Sequence, residues 1–312
     1  MDEINKVSVI IPIYNEEDGI ETLIKKITDY HLSRKFDFEI IFVNDGSHDS
    51  SSQEILKHKS LQFPCRLINL SKNFGAHAAV RAGFKVSKGT YTTCIPADLQ
   101  TSFDSIEILF EKAINGVDIV YGVREVKDAG FFGKMFSRLY ARLMQKHVNK
   151  DFPFKGLETL MFNEKVKECF NKNIESNSSV FLQALSFGFN KSFVDIKKTD
   201  RKIGKSKWTI SSKIKLLIDS FVAFSYLPIR LVSFIGITFF TLGFLWTIYV
   251  VFRKFLFNDI ASGWPALTSI LLLGFGITNI GLGIIAEYLW RTLDSARNRP
   301  VFIIDEVIEL ND

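Results

Sequence analysis

From Val7 to Tyr121, short β-branched bursts alternate with stretches whose apolar residues recur at helical spacing. Residues 7–13, Val-Ser-Val-Ile-Ile-Pro-Ile, have the length and branching of a strand. Glu16 to Tyr30 then repeats apolar positions at Ile20, Leu23, Ile24 and Ile27, the spacing of one helix face. Further strands are predicted at Phe38–Val43, Arg66–Leu70, Tyr91–Ile95 and Asp118–Tyr121. Helices are predicted between them at Ser52–His58, Ala76–Ser87 and Ile106–Ile114, and another near Leu160. Strand and helix in alternation with short connections predict an α/β fold with a mostly parallel sheet.

The pattern changes after residue 230. Leu231 to Phe252 contains no charged residue, and the only charge from Pro265 to Trp290 is Glu287, near its end. Each run exceeds the roughly 20 apolar residues that a helix needs to cross a bilayer. Gly236 and Gly243, Gly274 and Gly281, and Gly276 and Gly283 are each two helical turns apart, which predicts smooth stripes for helix–helix approach. A transmembrane hairpin of about 231–252 and 265–290 is therefore expected. Lys197, Lys198, Arg201, Lys202, Lys205 and Lys207 precede it, and Arg291, Arg297 and Arg299 follow it. The positive-inside rule then puts both termini in the cytoplasm. The N-terminus has acids ahead of a short apolar run and does not read as a signal peptide.

Composition narrows the classes. The 312 residues are 47% hydrophobic and 23% charged, which excludes a disordered chain. The 3 Cys residues show no paired spacing, which excludes a disulfide framework and a zinc ribbon. A net charge of +5, clustered beside the apolar runs, argues for a membrane surface and against nucleic acid. Phe132 to Val148 interleaves apolar residues with Lys134, Arg138, Arg142 and Lys146, and is expected to lie in the membrane interface, with a core helix as the alternative. Ile214–Tyr226 has a similar pattern.

Polar clusters follow three of the predicted strands: Tyr14-Asn15-Glu16-Glu17, Asn44-Asp45-Gly46-Ser47-His48-Asp49 and Pro96-Ala97-Asp98-Leu99-Gln100. Ligands of open α/β sheets bind at the carboxyl ends of the strands, so three such clusters suit a base, a ribose and a metal-bound diphosphate. Each one alone also reads as a turn. Neither a P-loop nor a dinucleotide fingerprint is present.

These residues, with Leu70-Ser71-Lys72-Asn73-Phe74-Gly75, resemble the inverting glycosyltransferases of family 2. More narrowly, the chain resembles the polyprenyl-phosphate glycosyltransferases, the group of GtrB-type and ArnC-type enzymes and dolichyl-phosphate mannose synthase. Tyr121-Gly122-Val123-Arg124, Arg201-x-x-Gly204-x-Ser206-Lys207-Trp208 and Gly263-Trp264-Pro265 continue the match through both apolar runs. The Q-x-x-R-W element of processive synthases is missing.

The resemblance implies a cytosolic GT-A domain over 1–228, two transmembrane helices within 229–291 and a cytosolic tail over 292–312. Pro12, Tyr14 and Glu16 would line the uridine, and Asp45 would bind the uracil edge. Asp98, with Gln100 beside it, would hold Mg²⁺ or Mn²⁺ on the diphosphate. Arg124, Arg201 and Lys207 would grip phosphates, whereas Lys134 reads as a lipid-facing charge. Glu158 would act as base or orient the acceptor; an ordinary loop acid is the plain alternative. Two departures stand out: Pro96 replaces the first acid of the usual Asp-x-Asp, and Thr101-Ser102-Phe103 replaces a frequent Asp-Pro-Pro. The expectation is a bacterial inner-membrane enzyme, forming a homo-oligomer, that moves glucose from UDP-glucose to undecaprenyl phosphate. An aminoarabinose derivative, N-acetylglucosamine or mannose is the alternative sugar. A non-catalytic nucleotide-sugar-binding membrane protein is the alternative class.

Overall fold

The computed structural model describes residues 6–33, 36–58, 61–98, 101–124, 138, 140–146, 149–175, 178–196, scattered positions between 234 and 256, 263–297 and 299–311. Gln100, Lys134, Arg201, Lys207 and the segment 214–226 lie outside the described residues, as does the side chain of Arg124. The chain divides into two units, Met1–Leu216 with Pro300–Asp312, and Leu217–Arg299.

The first unit begins with the predicted alternation. Strand β1 (Lys6–Ile13) leads into helix α1 (Glu17–Ser33), β2 (Asp37–Asn44) into α2 (Ser51–Leu56), and β3 (Cys65–Leu70) into α3 (Ala76–Val86). Then come β4 (Tyr91–Cys94), α4 (Asp104–Ala113) and β5 (Ile119–Arg124). A short helix, α5 (140–146), precedes β6 (Gly156–Asn163), α6 (Glu164–Lys172), α7 (Val180–Ser186) and β7 (Lys191–Asp195). The eighth strand, β8 (Ile304–Glu309), comes from the far end of the chain.

The strands form one sheet in the order β7-β5-β6-β4-β1-β2-β3-β8. β1 pairs in parallel with β2 and with β4, and β2 in parallel with β3. Only β6 and β8 run against the others among the described strands. Because the chain steps outward from β1 to β3 and then returns to the opposite side of β1, the strand order reverses between β1 and β4. That reversal is where a crevice forms in sheets of this kind.

Burial follows the period of two along β1. Val7, Val9, Ile11 and Ile13 face one way, into a cluster with Ile20, Leu23, Ile24 and Ile27 of α1 and Ile106, Leu109 and Phe110 of α4. Ile10 faces α3, which comes so near that a Cβ on Gly83 would stand 2.5 Å from Ile10 Cγ2. Both faces of the central strands are therefore covered, as parallel strands require. At the amino end of the sheet, away from the polar clusters, Glu39 is 2% exposed and fully engaged. It accepts from Ser8 Oγ at 2.5 Å, Arg66 Nη2 at 2.5 Å and the Lys88 N–H at 2.8 Å.

Two readings change here. The segment around Leu160 is strand β6, not helix; it pairs antiparallel with both β4 and β5, and the helix starts only at Glu164, where Asn163 caps Val166. Residues 304–309 are no free tail, because β8 pairs antiparallel with β3 and closes that edge of the sheet. Of the segment 132–148, residues 132–137, 139, 147 and 148 lie outside the described residues; in the rest, Ala141 and Met144 are buried and Tyr140 and Leu143 half-buried, while Arg138, Arg142 and Lys146 are exposed.

In the second unit, the described positions between 234 and 256 are helical, and α8 (Trp264–Ala296) runs for 33 residues. Large apolar side chains stand open on it, among them Phe275 at 67% and Leu289 at 64% exposure. Among the described residues, no helix is long and apolar enough to cross a membrane. Several apolar side chains of α8, Leu272 and Leu273 among them, lie outside that set.

Candidate active site

The polar clusters meet at the carboxyl ends of β1, β2 and β4. β1 stays paired with β2 up to Ile13 and Asn44, but its pairing with β4 stops at Ile10 and Cys94. Pro12 sits beyond that last β4 pair, where a missing N–H costs no ladder bond. The two strands thus part where the polar residues begin.

The turns after β1 and β2 are stitched together. The Asn15 N–H donates to Ser47 Oγ at 3.0 Å, and the Glu16 N–H to Ser51 Oγ at 2.8 Å. In return, the His48 N–H donates to Asn15 Oδ1 at 2.9 Å and the Ser50 N–H to Glu17 Oε2 at 2.9 Å. Asn15 has φ of 52°, a left-handed value that Asn tolerates better than most residues. Tyr14 lies edge-on to His48 with ring centroids 6.5 Å apart. Pro12, Tyr14 and Glu16 are all partly exposed on this rim.

Asp45 is buried at the start of the turn after β2. It is 3% exposed, and its two oxygens accept the Phe74 N–H at 2.7 Å and the Gly75 N–H at 2.9 Å. Burial pushes its carboxyl above the ordinary value, while those two N–H groups pull it back. Asp45 thereby holds the Ser71–Gly75 loop against the turn after β2. Gly46 makes that approach possible: its φ is +61°, and a Cβ there would stand 2.6 Å from Asn73 N. Gly46→Ala is expected to cost about 2 kcal/mol or more, combining a left-handed residue with a backbone clash. Thermal melting, with faster hydrogen exchange at Phe74 and Gly75, checks this; an unchanged melt would show that the loop stands without the close approach.

The third cluster follows β4. Asp98 is partly exposed in a turn, and Thr101, which is 2% exposed, donates from Oγ1 to Glu158 Oε1 at 3.3 Å. Because β6 runs antiparallel beside β4, Glu158 arrives at the same end of the sheet as Asp98. Arg124 ends β5 opposite Gly156 of β6, at this end too. The roles of Gln100, Arg201 and Lys207 fall on residues outside the described set.

Two contributors were not singled out from the sequence. Asn69 accepts from Asn44 Nδ2 at 3.0 Å and Ser52 Oγ at 3.1 Å, tying β3 to the turn after β2. No local signal marked it: Asn69 stands one residue before the end of β3, and only the pairing of β2 with β3 sets it opposite Asn44. Thr101 gave no signal beyond its place in an atypical tripeptide.

Among the described residues, no three or more His, Cys, Asp or Glu side chains form a cage for a metal. The oxygens at this strand end suit a different type of site. Small hard cations keep several waters and bind through one or two carboxylates plus substrate phosphates.

Comparison with known proteins gives a consistent picture. The family model described as "Glycosyl transferase family 2" matches residues 8–174. The "Uncharacterized glycosyltransferase YkcC" of Bacillus subtilis (strain 168) is 31% identical over 300 residues, covering 96% of this chain and 93% of that protein. The undecaprenyl-phosphate 4-deoxy-4-formamido-L-arabinose transferase of Edwardsiella ictaluri is 29% identical, covering 98% of this chain and 95% of that protein. Among solved structures, glucosyl-3-phosphoglycerate synthase from Mycobacterium tuberculosis, in complex with phosphoglyceric acid, aligns with a TM-score of 0.50 at 15% identity. That alignment covers 69% of this chain and 80% of that one, and it bears on the fold alone.

Proposed function

Because this chain belongs to glycosyl transferase family 2 and is a glycosyltransferase, we propose that it moves a sugar from a UDP-sugar to undecaprenyl phosphate. The observation that carries the acceptor is the full-length similarity to an undecaprenyl-phosphate transferase, which spans 98% of this chain, both apolar runs included. Glucose was the sugar expected from the sequence. The relatives' names favour 4-deoxy-4-formamido-L-arabinose, which therefore stands first among the donors to test.

In this reading Pro12, Tyr14 and Glu16 line the uridine, and Asp45 shapes the loop against it while keeping lone pairs for the uracil N3–H. Asp98 and Gln100 hold Mg²⁺ or Mn²⁺, which supplies neutralising charge at the leaving diphosphate. Arg124, Arg201 and Lys207 bind phosphate oxygens. Glu158, fixed by Thr101, orients the acceptor. The acceptor phosphate is already an anion near neutral pH and needs no strong base to attack the anomeric carbon. In-line attack breaks the bond to the diphosphate and inverts the configuration. Positioning and charge stabilisation then account for most of the rate.

The membrane hairpin belongs to the same proposal, with both termini on the cytoplasmic side of a bacterial inner membrane. The uncharged run at 231–252, the basic flanks and the open apolar side chains of α8 support it. Assembly as a homo-oligomer is part of the expectation, to be read from the mass of the solubilised protein. The test of function is a donor panel of UDP-sugars with undecaprenyl phosphate, scored by UDP release. Release that depends on the lipid supports the proposal, and release equal with and without it contradicts the acceptor.

A further inference from the structure

We propose that the turn at 149–155 is a rigid wedge that seats the catalytic unit on anionic lipid headgroups beside the acceptor site. This rests on the reading that the acceptor is a lipid phosphate. Phe154 is 55% exposed, whereas its neighbour Phe152 is 8% exposed and packs edge-on to Tyr140 at 5.8 Å. The turn therefore sends one Phe inward and holds the other in the open.

The segment is well braced. The Asn149 N–H donates to Met144 O at 2.9 Å, and Asn149 Nδ2 to Leu185 O at 2.9 Å. The Phe152 N–H closes on Asn149 O at 3.0 Å, and Gln145 Nε2 donates to Phe152 O at 2.7 Å. Its one acid, Asp151, pairs with Lys191 at 2.8 Å, and Lys155 pairs with Asp195. An apolar side chain held open by this much structure is built to meet something apolar.

Charge says what that something is. Arg138, Arg142 and Lys146 are exposed in the helical segment before the turn, and Lys150 is exposed in the turn itself, four residues before Phe154 in the sequence. Basic residues beside an exposed aromatic match a bilayer with anionic headgroups. Position fits as well. β6 begins at Gly156 and carries Glu158, and the four residues from Phe154 to Glu158 span at most about 14 Å of chain. A wedge at that reach would bring a lipid phosphate beside the site without lifting it from the membrane.

The test uses the full chain reconstituted in vesicles, with Phe154→Trp compared against the parent to subtract the native tryptophans. Vesicles of phosphatidylethanolamine and phosphatidylglycerol in a three-to-one mixture, containing lipid brominated high on the acyl chain, should quench the added Trp. Quenching should fall when phosphatidylcholine replaces both lipids. Phe154→Ser should raise the KM for undecaprenyl phosphate by about tenfold, leaving the KM for the UDP-sugar and the melting temperature unchanged. No quenching above the parent, or quenching indifferent to anionic lipid, overturns the proposal. A shift of Trp emission with polyglutamate but not with lipid would assign the surface to an acidic protein instead. Quenching needs no turnover, so lipid contact without sugar transfer would sink the acceptor assignment and leave the wedge standing.

Discussion

Asp98→Ala is expected to lower sugar transfer by about a hundredfold or more, while the chain melts within roughly 0.5 kcal/mol of the parent. The diphosphate gains negative charge as its bond to the anomeric carbon breaks, so the groups that face it matter more in the transition state than in the ground state. In this chain Pro96 takes the place of one carboxylate, and Pro96-Ala97-Asp98 offers a single acid at the end of β4. Glu158 reaches the same end of the sheet on β6, but the proposed reaction uses it to orient the acceptor. Little is therefore left to replace Asp98. Initial rates at saturating Mn²⁺, measured beside a melting curve, check the prediction. Activity near that of the parent would move the diphosphate-binding role to residues other than Asp98.

The second large effect falls at the opposite end of the sheet and should act on stability alone. Glu39→Ala is expected to cost about 3–5 kcal/mol, because it leaves the Arg66 guanidinium, 5% exposed, with only the exposed Glu309 carboxylate 3.9 Å from its Nε. Ser8 Oγ and the Lys88 N–H lose their acceptor at the same time. Burial raises the Glu39 carboxyl pKa. The Ser8 hydroxyl, the Lys88 N–H and Arg66 outweigh that and bring it below its ordinary value of 4.5. The folded state therefore binds this proton less readily than the unfolded chain. The stability it contributes is fully present above about 4.5 and is lost as the pH falls through the lower folded value. Denaturant melts of the parent and of Glu39→Gln between neutral and acid pH should differ most at neutral pH and converge on acidification. Parallel curves would mean that Glu39 does not control this part of the pH dependence. The KM for donor should not change in either variant that remains folded, which separates this site from Asp98.

How much of this was legible in the sequence differs from element to element. The strands from β1 to β5 and the helices between them were readable, because each strand is a β-branched run and each helix repeats at its own period. β6 was not. Gly156-Leu-Glu-Thr-Leu-Met-Phe-Asn holds few β-branched residues and several good helix formers, so local preference pointed to a helix. Pairing with β4 on one side and β5 on the other decides its conformation. β8 was hidden for a related reason. Ile-Asp-Glu-Val-Ile-Glu reads as a solvated acidic tail, and only its pairing with β3, far away in the sequence, makes it a strand.

The candidate site shows the same division. Its residue types and their places at strand ends could be read, because polar clusters after apolar runs mark loops at a sheet edge. Their mutual contacts could not. Nothing local says that Asp45 spends both oxygens on the Phe74 and Gly75 amides, or that Thr101 reaches Glu158. Those links join segments far apart in the chain, and only the sheet order brings them together.

The most direct measurement is the mass of the lipid product. Purified full chain, undecaprenyl phosphate and a panel of UDP-sugars headed by UDP-4-deoxy-4-formamido-L-arabinose and UDP-glucose are incubated together, and the lipid fraction is analysed by mass spectrometry. The account predicts one donor for which the lipid gains the mass of a single sugar residue, with UDP released in equal amount. That product should be nearly absent with Asp98→Ala and present with a folded Glu39 variant. A lipid fraction of unchanged mass with every donor, from protein shown to bind UDP, would contradict it.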